Sequence, residues 1–264
     1  MADTTTRLGI TVLGSGSRGN AIVVHTENEA LLIDAGFSAR ELRARMRQAE
    51  IDPSLITAIL VTHEHADHVK GLRVFSSQFG LPVYANRATA DILRRRDTKL
   101  GAMTLFAAGT RFRVGNFAVE PFSIPHDAND PVAFVLRFQS SKIGIATDLG
   151  HANSLVTYQL RGCHALVLES NHDPTMLGNS KRPWSLKQRI MSRHGHLSNA
   201  SCRDLLRDVL DEETRHVVLA HASQDCNCYD LVREETRTCL HDMGRPDIGL
   251  HVAIQDKPLP TLWL

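Results

Sequence analysis

The 264-residue sequence predicts an α/β fold in a single domain, residues 1–264, with two halves that are both rich in β-strands. Two observations lead to this prediction. Short runs of Val, Ile and Leu alternate with segments of helical periodicity along most of the chain, which is typical of α/β proteins. No linker, repeat or low-complexity stretch separates the halves, and 264 residues suffice to bury a full core.

The composition is that of an ordinary globular protein, with 42% hydrophobic residues, 22% charged residues and a formal net charge of +1. This balance gives no overall signal for a nucleic-acid or membrane partner, so any anionic substrate must be held by local residues. The first ten residues lack the pattern of a secretion signal and no run reaches membrane-spanning length, so we expect a cytoplasmic protein without membrane contact. The five cysteines are odd in number, which favours reduced thiols.

The first strand, expected at residues 8–13, is followed by the glycine turn, G-S-G-S-R-G-N at residues 14–20. Its glycines match the dinucleotide-binding fingerprint G-x-G-x-x-G, but that fingerprint needs a helix after the glycines to hold a pyrophosphate. Here two apolar strand patterns follow instead, at residues 20–25 and 30–33. The sequence therefore predicts an antiparallel meander with a tight turn, although the amides of the turn remain an alternative anion site.

Helical periodicity and strand patterns alternate along the rest of the chain. Helices are expected at residues 38–49, 69–79, 87–96, 153–161 and 198–210, with one more after residue 221. Strands are expected at residues 57–61, 82–85, 112–122, 132–138, 142–146, 165–168, 216–220 and 250–254. The fourth and fifth of these strands are separated by a short polar turn, which predicts a hairpin.

The strongest chemical signal is V-T-H-E-H-A-D-H at residues 61–68, directly after an expected strand. Its imidazoles and carboxylate are donors that bind zinc and neighbouring divalent metals. On an extended loop, residues two apart point the same way, so we expect His63 and His65 to face one ion while Asp67 and His68 turn toward a second. A polar surface turn is the alternative, but four such donors between two apolar segments are hard to attribute to solvation.

Further donors stand at the ends of other expected strands, namely Asp34, His126, Asp148 and His221. Strands that share a sheet edge bring such residues together whatever their distance in sequence. One consistent allocation gives the first ion three imidazoles, gives the second a carboxylate and two imidazoles, and uses Asp148 as a bridge. The two sets are His63, His65 and His126, and Asp67, His68 and His221. Asp34 is interpreted as the partner of a ligating imidazole, with a direct ligand or a helix cap as alternatives.

These motifs resemble the metallo-β-lactamase superfamily, whose signature H-x-H-x-D-H is matched by residues 63–68. The resemblance extends over nearly the whole chain and points to the bacterial YycJ/WalJ-type (VicX) branch. Its further motifs are G-S-G-S-R-G-N at 14–20, L-I-D-A-G at 32–36, H-D-A at 126–128, A-T-D-L-G at 146–150, L-E-S-N-H-D at 168–173 and G-H-L-S-N at 195–199. The loop after His221 departs from the branch, because A-S-Q-D-C-N-C stands where an L-S and asparagine-rich continuation is usual.

The resemblance implies an αββα sandwich, two mixed β-sheets flanked by helices, with a dinuclear metal site along one sheet edge. It also implies phosphodiester hydrolysis, in particular 5′-to-3′ exonuclease activity on DNA. Two divalent cations, zinc or manganese with iron also compatible, would lower the pKa of a bridging water, and the resulting hydroxide would attack phosphorus.

Related phosphodiesterases of this fold use a Glu–His pair to protonate the leaving oxygen, and the corresponding residues here are Glu169 and His196. Together with Asp67 they form the expected catalytic set. The alternative is that Glu169 and His196 only cap helices or pack in the core.

A basic segment with an aromatic residue precedes His196 and is expected to hold a nucleic-acid strand. The expected contacts are Lys181, Arg182, Trp184 and Arg189. Ser198 and Asn199 are expected either to donate hydrogen bonds to a phosphate or to cap the following helix.

Three other functions stay open at this point. The same site could hydrolyse a small-molecule ester, thioester, lactone or phosphodiester without using the basic segment. A di-iron redox protein would need a flavin or another electron partner, and the sequence has no flavodoxin-like domain. The complete set of metal ligands argues against a non-catalytic metal-binding regulator.

Overall fold

The computed structural model describes residues 6–264. The expectation about a secretion signal concerns the first ten residues, and five of these, residues 1–5, lie outside the described part. The described strands form two seven-stranded sheets. Sheet A contains, in spatial order, Leu262–Trp263 (β14), Gly9–Gly14 (β1), Ala21–His25 (β2), Ala30–Ile33 (β3), Ile56–Leu60 (β4), Val83–Asn86 (β5) and Met103–Phe106 (β6). Sheet B contains, in spatial order, Gly249–Val252 (β13), His216–Ala220 (β12), Ala165–Glu169 (β11), Ser141–Ala146 (β10), Val132–Phe138 (β9), Phe117–Ser123 (β8) and Phe112–Val114 (β7).

Each sheet is half antiparallel and half parallel. In sheet A, β1, β2 and β3 form the predicted antiparallel meander, and β3, β4, β5 and β6 then run parallel. In sheet B, β7 to β10 are antiparallel and β10 to β13 are parallel. The carboxyl ends of neighbouring parallel strands meet at one edge of a sheet, and this is where α/β folds place their chemistry.

Nine α-helices accompany the two sheets within residues 6–264, and six of them pack on the outer faces of the sheets. The nine helices are Ala39–Gln48 (α1), Ala66–Val69 (α2), Leu72–Phe79 (α3), Arg87–Arg96 (α4), Ser154–Leu160 (α5), Pro174–Asn179 (α6), Trp184–Ile190 (α7), Asn199–Val209 (α8) and Tyr229–Asp242 (α9). An apolar layer between the sheets joins side chains of both, while α1, α3 and α4 pack on sheet A and α5, α8 and α9 pack on sheet B. The αββα sandwich is thereby confirmed, and burial on both faces explains why most strands are continuous apolar runs.

The helix expected at residues 69–79 is the clearest difference from the predicted elements. Two helices occupy this region, and the first of them, α2, begins at Ala66. The break falls at Gly71, where a Cβ atom would lie 2.0 Å from the carbonyl oxygen of Phe37. This close approach excludes any side chain. As a consequence, Asp67 and His68 lie on a helical turn, and the expectation that both belong to an extended loop is wrong.

Four short elements were not predicted, namely β6, β14, α6 and α7. Two of them, β6 and β14, are edge strands of four and two residues, so their apolar pattern is too short to detect. The remaining two elements, α6 and α7, are short helices in or beside the basic segment. Tertiary packing rather than hydrophobic periodicity defines them.

Two expectations from composition can be compared with the structure. All five cysteines are free thiols, as predicted, and four of them are buried. Within residues 6–264, none of the helices has the length and apolar character needed to cross a membrane.

Candidate metal centre

The loop that follows β4 brings four metal-ligand candidates to the edge of sheet A. His63 and His65 precede α2, and His65 is the residue at which that helix is capped. Asp67 and His68 are the second and third of the four residues of α2, so a helical turn rather than an extended loop sets their direction. The imidazoles of His63 and His68 are buried. Burial of this many polar groups in one loop requires partners for them.

Three further site residues follow parallel strands and adopt an unusual backbone conformation. Asp34 follows β3, Asp148 follows β10 with one residue between, and His221 follows β12. Their φ angles are +60°, +56° and +53°, in the left-handed region that favours glycine. Each such residue costs roughly 1–3 kcal/mol, and such residues cluster at functional sites. At each of these turns the side chain lies beside His68 or Asp67 of the loop that follows β4.

The candidate ligands fall into overlapping groups, and two of these groups are triads that share no residue. Asp148 belongs to two further groups, one with His63 and His68 and one with Glu169, His196 and His221. The first triad is His63, His65 and His126, and the second triad is Asp67, His68 and His221. Within each triad the ligand atoms lie within 4.8 Å of one another. This grouping has the same membership as the allocation made from the sequence.

Asp148 stands between the two triads. Its Oδ1 atom lies 3.7 Å from Nε2 of His126 in the first triad, and its Oδ2 atom lies 3.0 Å from Nε2 of His68 in the second. Oδ1 also lies 3.5 Å from Nδ1 of His221 in the second triad, so the carboxylate contacts members of both triads. A carboxylate in this position is suited to bridge two cations.

Several atoms of this cluster lack hydrogen-bond partners within the described residues. Nε2 of His63 and Nε2 of His221 are buried and have none, and Oδ2 of Asp148 forms no hydrogen bond although Nε2 of His68 lies 3.0 Å away. Buried polar atoms are nearly always paired, so unpaired atoms within the candidate ligand set need an explanation. Divalent cations fit, because neutral imidazole and carboxylate are their common ligands in proteins.

The electrostatic surroundings of His68 also favour a cation at this site. Nδ1 of His68 lies 2.7 Å from Oδ2 of Asp34, and the carboxylate of Asp34 is itself held by the amide and hydroxyl of Thr62. Burial opposes a positive charge on His68, but the carboxylates of Asp148 and Asp34 outweigh burial and raise its pKa well above the usual range. The site therefore favours positive charge at this position. Asp34 holds a ligand candidate, which is the role that sequence analysis favoured for it.

Glu169 connects two imidazoles of the site. Its Oε1 atom lies 2.8 Å from Nδ1 of His196 and 2.8 Å from Nδ1 of His221, while Oε2 accepts hydrogen bonds from the amides of Leu149 and Leu197. Burial would raise the pKa of Glu169, but the charges of His196 and His221 lower it to about 2. The carboxylate is thus an ionised anchor inside the fold. Its contact with His221 was not anticipated from the sequence.

A cavity opens beside the first triad and is lined by His126 and His196. Three cationic or potentially cationic residues, Arg182, Arg189 and His194, form its other wall. Arg182 pairs with Asp225 at 2.9 Å and Arg189 pairs with Asp127 at 2.5 Å, near the surface. The cavity therefore combines the candidate proton donor with a basic wall, an arrangement that suits an anionic substrate.

Two of the expected substrate contacts lie outside this cavity. Lys181 is exposed, and Trp184 is 65% exposed at the start of α7. Neither side chain lines the cavity. They are accessible to a polymer that extends beyond the site, but not to a group bound inside it.

The expectation for Asn199 as a phosphate contact is wrong. Its side chain is 3% exposed, and its amide is bonded to the hydroxyl of Ser170 and to Asn227 inside the fold. Ser198 is the N-cap of α8, where its hydroxyl accepts a hydrogen bond from the amide of Ser201, so the capping alternative is confirmed for this residue. Asn199 thus ties α8 to the residue after β11, and the hydroxyl of Ser198 is engaged with Ser201 at the start of α8.

Sequence reasoning missed Asn20, whose amide nitrogen lies 3.3 Å from Oδ2 of Asp67. The available signal was the asparagine that ends the glycine turn, but the glycines resemble a nucleotide-binding pattern and suggested phosphate binding instead. It also missed Asn171, which donates to the carbonyl oxygen of His221 at 2.8 Å.

Comparison with known proteins places these observations in a family. A family model described as a beta-lactamase superfamily domain matches residues 29–222. The exodeoxyribonuclease YycJ of Bacillus anthracis is 37% identical over 239 residues, which covers 90% of this chain and 90% of that protein. The exodeoxyribonuclease WalJ of Streptococcus pneumoniae is 29% identical over 246 residues, covering 91% and 90%.

Solved structures share the fold. The metallo-beta-lactamase fold protein YhfI from Bacillus subtilis superimposes with a TM-score of 0.73 and covers 97% of this chain and 99% of its own. The two sequences are 14% identical, so this likeness concerns the arrangement of the chain alone.

Proposed function

This chain belongs to the metallo-β-lactamase superfamily, and from that membership we propose that it is a single-domain exonuclease that degrades DNA from the 5′ end. It is a metal-dependent hydrolase. The observation that carries the proposal is the cavity that joins the metal-ligand candidates to a basic wall. Support for DNA as the substrate comes from the two relatives named exodeoxyribonucleases, which match about nine-tenths of the chain. A cytoplasmic location would accord with such a substrate.

We assign two divalent ions, zinc or manganese, to the two triads, with Asp148 between them. When bound, such ions act as Lewis acids that activate water and polarise the phosphodiester. The mixture of imidazole and carboxylate ligands accepts zinc, manganese and iron. Asp67 belongs to the catalytic set through its place in the second triad.

His196 is assigned as the proton donor to the leaving oxygen. Its Nδ1 atom is held by Glu169, and its ring lines the cavity, so Nε2 is the nitrogen left for the substrate. The second contact of Glu169, to His221, ties the position of the proton donor to a ligand of the second triad. One buried carboxylate therefore aligns the proton donor with the candidate metal centre.

The basic wall is assigned to the phosphates of the substrate strand. Arg182 and Arg189 now pair with exposed carboxylates, and such surface pairs are worth little, so both guanidinium groups are free to exchange partners. Lys181 and Trp184 stand farther out, where a cation and a stacking surface suit the next nucleotides of a strand. The enclosed part of the site thus takes the reacting phosphate and the open part takes the polymer.

The test is a digestion assay with DNA labelled separately at the 5′ and 3′ ends. Wild-type protein and an Asp67→Ala/His68→Ala variant are incubated with double-stranded DNA, single-stranded DNA and RNA, with manganese or zinc added. We expect early release of 5′ label from DNA by the wild type and none by the variant. Absence of cleavage of every polymer by protein that contains two ions per chain would overturn the nuclease proposal and favour a small-molecule substrate.

A further inference from the structure

The glycine turn, residues 14–20, lies against the second triad. The backbone amide of Asn20 donates to the carbonyl oxygen of Asp67 at 2.7 Å. The side chain of Asn20 is 3% exposed, so it sits inside the fold beside the ligand loop rather than at the surface. The feature that resembles a nucleotide-binding turn is therefore in direct contact with the metal-ligand candidates.

The direction of the Asn20 side-chain amide is fixed by its neighbours. Its Oδ1 atom accepts hydrogen bonds from the hydroxyl of Ser15 at 2.8 Å and from the amide of Gly16 at 2.9 Å. Two donors on one side require the oxygen there, so the Nδ2 group must face the other way. Nδ2 lies 3.3 Å from Oδ2 of Asp67 and 3.1 Å from Nε2 of His68.

Ser15 extends this chain of hydrogen bonds to the remaining member of the triad. Its hydroxyl donates to Asn20 and accepts from the backbone amide of His221 at 2.9 Å. His221 is held in a left-handed conformation, so an anchored amide helps to fix the direction of its side chain. Two side chains of one turn therefore contact all three members of the second triad.

We propose that Ser15 and Asn20 are positioning residues for the second metal ion, and that the glycine turn serves metal binding rather than phosphate binding. This inference rests on the metal centre of the proposed function. Groups that orient metal ligands commonly account for about 10–100-fold in metal affinity. The described hydrogen bonds of Ser15 and Asn20 reach none of the first triad, so the effect falls on one ion of the pair.

The test uses manganese as the probe and Ser15→Ala and Asn20→Ala as the variants. The matched control is Gln255→Ala, because Gln255 also tethers the turn, through the carbonyl oxygen of Gly19 and the amide of Arg18, without touching a ligand. Each full-length protein is stripped with a chelator and titrated with Mn²⁺, and electron paramagnetic resonance separates spin-coupled ion pairs from isolated ions. Thermal denaturation of the stripped proteins measures any general loosening of the fold.

We expect two ions and a spin-coupled spectrum for the wild type and for Gln255→Ala. For Ser15→Ala and Asn20→Ala we expect one tight ion, a second that binds about 10–100-fold more weakly, and loss of the coupled signal at low Mn²⁺. Ser15→Ala removes a single oxygen atom, so it decides the question if Asn20→Ala fails to fold.

Two results would count against the inference and they differ in meaning. Coupled ion pairs of wild-type affinity in both variants would overturn the positioning role while leaving the metal centre intact. A wild-type protein that never takes up a second ion would overturn the two-ion centre itself, and the positioning role with it.

Discussion

The two ends of strand β12 carry histidines with opposite surroundings. His216 begins the strand, and His221 stands directly after its last residue. The ring of His216 packs near that of His251 on the neighbouring strand, with the ring centroids 5.6 Å apart. His221 instead lies 2.8 Å from Glu169 and 3.5 Å from Asp148.

These surroundings change the protonation of the two imidazoles in opposite directions. Burial lowers the pKa of His216, and a hydrogen bond to the backbone of Trp263 offsets this only in part. Burial also acts on His221, but Asp148, Asp67 and Glu169 outweigh it and raise the pKa to about 10. His221, unlike His216, therefore lies among the carboxylates at the carboxyl edge of the sheet. Fourteen histidines alone do not define a site.

The largest expected effect comes from replacing the two histidines at the ends of β12. We expect His221→Ala to lower kcat/KM by roughly 10³-fold or more, because a bound metal supplies several kcal/mol of transition-state stabilisation. His216→Ala, at the other end of the strand, should stay within about twofold of the wild type. The measurement is metal-dependent hydrolysis of DNA, with circular dichroism to check the fold. Equal losses in two folded variants would show that strand position does not matter.

The next effect concerns the carboxylate that distinguishes the two ends. Glu169→Gln keeps the shape and the hydrogen bonds to Leu149 and Leu197 but presents an amide to one imidazole or both. We expect kcat to fall by about 10²–10³-fold, the usual range for losing general acid catalysis. His196→Ala should fall similarly, and the double variant should show less than the product of the two losses, because the residues act as a unit.

A matched carboxylate at the opposite edge provides the control for this prediction. Glu29 precedes β3, is buried and bonds to Asn116, away from the triads. Glu29→Gln should therefore leave kcat near the wild-type value. If the decrease in kcat of the double variant equals the product of the decreases for Glu169→Gln and His196→Ala, the two residues act independently and the prediction is wrong.

A smaller effect, on KM, tests whether the substrate also binds near the carboxyl edge of the sheet. Arg182→Gln/Arg189→Gln should raise KM for DNA by roughly 3–10-fold and reduce the salt dependence of binding by about one unit of slope per arginine. Arg237→Gln, on exposed helix α9, should change neither. Binding and steady-state measurements over a series of salt concentrations provide the readout. An unchanged salt slope in the double variant would remove the basic wall from the proposed substrate path.

The smallest effect concerns the pH dependence of stability at the amino end of β12. Burial lowers the pKa of both His216 and His251 below the ordinary value of 6.5, so the unfolded chain binds protons more readily than the folded one. Their stabilising contribution is therefore present above pH 6.5 and is lost as the pH falls toward the lowered values.

The test is the midpoint of thermal unfolding between pH 7 and pH 5, with the centre kept loaded with metal. In His216→Gln/His251→Gln the decrease in Tm over this interval should be smaller than in the wild type by about 2 °C, given the size of the chain. A larger decrease in the variant would mean that the pair is protonated in the fold.

The ligand set could be predicted because its signals are local or topological. The H-x-H-x-D-H run is contiguous, and His126, Asp148 and His221 each follow a strand whose apolar pattern is visible in the sequence. Parallel strands then bring their carboxyl ends together, so the grouping follows without any knowledge of distances.

The parts that could not be predicted depend on packing between distant segments. The helix break at Gly71 arises from the approach of Phe37, and the burial of Asn199 arises from its fit against Ser170 and Asn227. Neither approach leaves a pattern in the neighbouring sequence. The left-handed backbone conformation at Asp148 and His221 could not be predicted either, because neither residue is a glycine.

Each triad draws on both sheets, and this has a thermodynamic consequence. His63, His65, Asp67 and His68 follow β4 of sheet A, whereas His126 and His221 follow β8 and β12 of sheet B. An ion held by such a triad binds the folded chain and not the unfolded one. At a free-ion concentration 100 times Kd it would add about 2.7 kcal/mol to the free energy of unfolding. A bound ion would therefore hold the two sheets together at their shared edge, and the stability of the fold would rise with the concentration of free divalent metal.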